Sequence, residues 1–165
     1  MKSLIKKILA VLFVALVAIQ FFPPKRNVSA AAPGANDITV MHPTPPAVKA
    51  ILAESCYDCH SFQVRLPWYA SVAPISWWIA DEVRRGRAGL NFSTWSDYTP
   101  RQRALGWRRS LQRIREQRMP PFGYRLMHPV SLDDEHIRML ENYLKEHERS
   151  ATDGLSAREL LAWPS

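Results

Sequence analysis

The sequence predicts an all-α protein. Apolar residues recur at three- and four-residue spacing in separate segments, no segment alternates convincingly with a period of two, and helix-opening residues stand ahead of the apolar runs.

The first element is N-terminal. Lys2, Lys6 and Lys7 precede an uncharged apolar run from Ile8 to Phe22 that is broken at Pro23-Pro24, the pattern of a secretory signal or signal anchor. The expectation is a transmembrane anchor over residues 1–24, with Leu4 and Ile5 extending the run and the lysines held inside. That orientation puts the rest of the chain outside a bacterial inner membrane, in the periplasm. If the chain is cleaved, at Val28-Ser29-Ala30, it becomes a secreted periplasmic protein. The flanking charges and prolines speak against a buried core helix. Residues 25–43, rich in Ala, Pro and Asn, are expected to be a linker, 44–150 one compact domain, and 151–165 a tail with a short helical turn from Ser156 and Glu159.

Within the domain, Thr44 ahead of Pro45 reads as a helix cap, and Val48, Ile51, Leu52 and Ser55 fall on one face of the helix it opens. After Pro67-Trp68-Tyr69, a second helix starts near Pro74, buries Ile75, Trp78, Ile79 and Val83, and stops near Gly86. Residues 87–95 read as irregular. Thr99-Pro100 repeats the cap-plus-proline start, and Ala104, Trp107, Leu111 and Ile114 mark a third helix through Arg118. Ser131 and Asp134 resemble a capping box for a fourth, with Ile137, Leu140 and Leu144 facing inward.

Cys56-Tyr57-Asp58-Cys59-His60 carries the chemistry. C-x-x-C-H is the spacing at which two thiols add across the vinyl groups of a haem and the adjacent imidazole turns onto the iron. These are the only two cysteines in the chain, so a Cys₄ or Cys₂His₂ zinc site lacks ligands. A thioredoxin-like pair needs a strand-helix setting that this region lacks. The cofactor expected is one covalent haem c, held by Cys56 and Cys59 with His60 as an axial ligand. The fold then narrows to a small cytochrome c-like helical domain packed around it. Six tryptophans suit a small core around a flat apolar macrocycle, although an ordinary aromatic core explains any one of them.

The second constellation is Met119-Pro120-Pro121-Phe122, past the third helix, where a proline pair stiffens the loop that carries the methionine sulfur. Met119 is the expected sixth iron ligand, a soft thioether that favours ferrous iron; a core methionine is the plainer account. His128, in Met127-His128-Pro129, is the alternative and gives bis-histidine iron. His136 and His147 on the fourth helix and His42 in the linker read as packing or solvated residues.

Together with the haem motif, Ser61, Pro67-Trp68-Tyr69, Ala73-Pro74-Ile75-Ser76-Trp77, Gly86-Arg87, Leu90-Asn91-Phe92-Ser93, Trp95, Met119-Pro120 and His128-Pro129 resemble the bacterial haem-binding domain family. The resemblance covers roughly residues 48–143. It implies a small exported c-type cytochrome with an N-terminal membrane segment and strengthens the anchor reading, but it carries no reaction. One departure stands out. Arg101, Arg103, Arg108, Arg109, Arg113, Arg115 and Arg118 crowd the helix before Met119, where relatives are acidic or mixed.

Most of those arginines read as a solvated face. The remainder could pair with haem propionates or attract an acidic redox partner or anionic lipid. A net charge of +7 and pI near 9.8 also admit nucleic acid, which export argues against. The resulting expectation is a membrane-tethered monohaem cytochrome c that moves single electrons to a redox protein and is not an enzyme. The alternative is a sensor of small ligands or a peroxidase-like enzyme with a displaceable sixth ligand. A third reading, an interaction module with an incidental motif, binds no haem.

Overall fold

The computed structural model describes residues 1–25, 28, 29, 31–128 and 132–153, and every regular element among them is helical. In chain order these are α1 (Lys2–Ile19), α2 (Ile38–Met41), α3 (Pro46–Ser55), α4 (Tyr57–His60), α5 (Ile75–Gly89), α6 (Pro100–Arg115), α7 (Phe122–Met127) and α8 (Asp134–Thr152). Two 3-10 turns, Trp68–Ser71 and Phe92–Asp97, join them.

The transmembrane part of the N-terminal expectation is corrected. No helix among the described residues is long and apolar enough to cross a membrane. α1 stops at Ile19 and contains Lys6 and Lys7, so its uninterrupted apolar stretch runs only from Ile8 to Ile19. At a rise of about 1.5 Å per residue that covers well under the roughly 30 Å of a hydrocarbon core. Its large apolar side chains are exposed, and its end is tied to the domain. Gln20 Nε2 donates to Ala73 O (3.1 Å), Ala73 N donates to Gln20 Oε1 (2.9 Å), and Trp77 Nε1 donates to Phe22 O (2.7 Å).

The core lies between α3, the second 3-10 turn, α6 and α8. Ala104, Trp107 and Leu111 on α6 meet Leu140, Tyr143 and Leu144 on α8, all of them buried, while Ile114 and Ile137 are half-buried at the margin. Trp95 and Trp107 lie with ring centroids 4.6 Å apart and almost no exposed surface. An aromatic of that size removes roughly 150–250 Å² from water, worth about 4–6 kcal/mol as an upper estimate. Arg115 with Glu141 and Arg108 with Glu148 close the rim of the α6–α8 seam.

Caps define the helix starts. Thr99 opens α6 as the Thr99-Pro100 start predicts, and the structure adds a full capping box with Gln102, at 2.9 and 3.3 Å. α8 is capped by Asp133, whose Oδ1 accepts from His136 N at 2.9 Å. Ser131, Ser156, Glu159 and Ala30 lie outside the described residues. Thr44 does not cap α3. Pro46 takes the first helical position, which makes Pro45 the cap, and the Thr44 hydroxyl donates to His42 O (3.0 Å) and shares a hydrogen bond with Tyr143 (2.9 Å).

Two other expectations shift. α5 runs on to Gly89, and Ile75 and Trp78 are substantially exposed; Trp78, with Ile79 and Val83, borders a cleft instead of the core. The linker expected over residues 25–43 contributes its end to the core: Asp37 and Ile38 are wholly buried, with Asp37 Oδ1 capping α2 and accepting from the Tyr57 hydroxyl at 2.7 Å.

Candidate functional site

Cys56 ends α3 and opens α4, so the C-x-x-C-H motif occupies one tight turn on the end of a well-anchored helix. Val48, Ile51 and Leu52 bury the α3 side of that support, and Tyr57 fixes the turn from within, buried and stacked on Phe92 at 5.6 Å. Cys56 and Cys59, three residues apart, then share a face. Both are free thiols. Burial, with a smaller contribution from the neighbouring cysteine, pushes Cys56 up to about 12. Burial followed by Asp58 and Glu82 pushes Cys59 up to about 11, with Arg87 opposing. At neutral pH both keep their protons, the form in which a thiol adds across a vinyl group.

His60 is half-buried, and its Nδ1 donates to Leu90 O at 2.8 Å. That bond fixes the tautomer and leaves Nε2 with its lone pair, the arrangement found behind metal-ligating histidines. Burial holds its pKa below the ordinary value, partly opposed by the Leu90 and Gly86 carbonyls, so the imidazole is neutral and able to ligate at pH 7. Gly86 allows this geometry: a Cβ there would collide with the Cys59 carbonyl oxygen, so α5 approaches α4 only without a side chain at that point.

Beside the motif lies a cleft with an empty volume of about 490 Å³, part of it open solvent. α4 contributes Cys59, α5 contributes Trp78, Ile79 and Val83, and the far wall carries Met127 and His128. His128 stacks on Tyr124 at 4.2 Å and 10°, and the Tyr69 hydroxyl lies 3.4 Å from its Nε2. The Tyr124 hydroxyl donates to Asp58 Oδ2 at 2.7 Å, which ties the far wall to the haem motif. Burial and Asp58 hold that phenol well above its usual range. Sequence reasoning missed Tyr124; its one legible signal is the four-residue spacing to His128 along a helix and its end.

The expected ligands are thus only partly brought together. Cys56, Cys59 and His60 form one turn, and His128 shares the cleft with Cys59. Met119 is half-buried just past α6 and is not among the residues lining the cleft. Its loop is set by a helix-ending motif in which Gln117 N donates to Ile114 O (3.0 Å) and Arg118 N to Arg113 O (2.9 Å). Gln117 supplies the left-handed residue, with φ of 54°. The arginines of this stretch are partly engaged elsewhere: Arg108 and Arg115 of α6 with acids of α8, and Arg118, past its end, with Glu116.

Two cysteines and a Leu90-oriented imidazole in one turn, a glycine-permitted close approach and an adjoining apolar cleft that Cys59 lines make a donor set that fits haem. The class defined by this fold and site is a small helical haem-binding domain. The comparison with family models agrees: the haem-binding domain model matches residues 14–146, and the chain belongs to that family. No curated protein and no solved structure matches the chain.

Proposed function

We propose that this protein is a monohaem c-type cytochrome that carries single electrons outside the inner membrane. Haem is joined to Cys56 and Cys59 by thioethers and ligated by His60. The observation that carries the reading is the His60 imidazole, oriented by Leu90 O beside two free cysteines in one turn. When bound, haem supplies the one-electron couple. The chain's part would be to hold His60 in one tautomer and to supply, with Trp78, Ile79 and Val83, an apolar wall beside Cys59 that limits water. Residues 1–24 act as the export signal, and where they are retained, the exposed apolar α1 holds the domain to the membrane.

Met119 is the sixth ligand in this reading. A second reading, in which His128 takes that place, is favoured by its position on the cleft wall opposite Cys59. Protein made with and without a cytochrome c maturation system, then run on a denaturing gel and stained for haem, tests attachment. Colourless matured protein overturns both readings. A ferric near-infrared band of thioether-iron charge transfer, lost in Met119→Ala but kept in His128→Ala, supports Met119. Absence of the band, together with carbon monoxide binding gained in His128→Ala, supports His128.

A further inference from the structure

Arg87 follows Ile79 and Val83 at four-residue spacing on α5, so the helix face that borders the cleft ends in a guanidinium. Its Nε donates to Ser61 O at 2.9 Å, the carbonyl immediately after His60, and its charge centre lies 5.1 Å from the Phe62 ring centroid. Those contacts fix the guanidinium plane. Two nitrogens remain, Nη1 and Nη2. Nη2 is enclosed and has no hydrogen-bond partner, and none of the ion pairs among the described residues includes Arg87. Burial works against the charge here, which is the setting in which an arriving carboxylate gains most.

We propose that Arg87 is the propionate-binding residue of the haem site: Nη2 donates to a haem carboxylate while Nε keeps Ser61 O. The inference rests on the reading that haem sits at Cys56–His60. It moves to α5 a role that sequence reasoning gave to the arginines between residues 101 and 118. Three of those have carboxylate partners of their own, whereas Arg87 stands next to the motif with a donor to spare. The Ser61 bond alone explains Nε. It does not explain a second nitrogen buried without an acceptor.

Full-length protein produced without the maturation system is titrated with haem and with haem dimethyl ester, whose carboxylates are blocked, and binding is read from the Soret absorbance. Wild-type protein is expected to prefer the free acid by about tenfold or more, the worth of one charge-assisted hydrogen bond. Arg87→Gln retains a donor for Ser61 O but no charge, and is expected to reduce the preference to threefold or less. Arg109→Gln, exposed on α6, is expected to keep it. Equal wild-type affinity for acid and ester overturns the role of Arg87 without any variant having to fold. A preference lost equally in Arg109→Gln overturns it as well, since bulk charge then accounts for the effect. If wild-type protein binds neither compound, the placement of haem itself fails.

Discussion

At the scale of single residues, His42 shows how far a side chain's surroundings exceed its sequence context. Read as a linker residue, it accepts a hydrogen bond from the buried Trp95 indole at 3.2 Å and lies edge-on to His147. Burial first, then His147 and Arg103, lower its pKa below the ordinary value. The unfolded chain therefore binds a proton near pH 6.5 that the folded chain resists. This contribution to stability is complete above that pH and declines as pH falls through it. Urea unfolding of haem-loaded protein at pH 7.5 and 5.5 is expected to show the loss, and His42→Gln to flatten it. Gln117 gives a prediction of opposite sign. It holds a left-handed φ of 54° where glycine has no steric cost, so Gln117→Gly is expected to stabilise the fold by about 1 kcal/mol, seen as a raised urea midpoint. Neither environment was legible: His42 meets Trp95 across 53 positions, and a glutamine gives no hint of such a turn.

At the scale of elements, what could be read was periodic and what could not was tertiary. The apolar spacing of α6 and α8 and the Thr99-Pro100 start describe their own surroundings, so residues 104, 107, 111, 140 and 144 are buried as expected. The same periodicity misjudged α5, because an apolar stripe looks alike whether it faces a core or lines a cleft for a bound group. The C-x-x-C-H turn was legible from local spacing. The far wall of the cleft was not, since Tyr124 reaches Asp58 across 66 positions. The α4–α5 contact supplies the test at this scale. Gly86→Ala forces these helices apart at the Cys59 carbonyl and is expected to cost about 1–3 kcal/mol in thermal or urea unfolding. The same variant is expected to lower the fraction of chains that stain for covalent haem. Unchanged stability would mean that α5 shifts freely.

For the whole molecule, charge is the property that a partner meets first. The net charge of +7 includes arginines already paired within the fold, such as Arg84 and Arg85 with Asp81 and Arg115 with Glu141. Exposed charges that stay unpaired are screened beyond roughly 8 Å at physiological salt. If they steer an acidic donor, its rate of reducing the haem is expected to fall several-fold between about 0.05 and 0.5 M salt. A flat stopped-flow response removes steering. The junction after α1 adds a constraint of another kind. One glutamine amide grips both backbone groups of Ala73 while Trp77 holds the Phe22 carbonyl, so the N-terminal rod leaves the body as a boom and not a leash. Were α1 seated on a surface, these bonds would couple the tilt of the rod to that of the body.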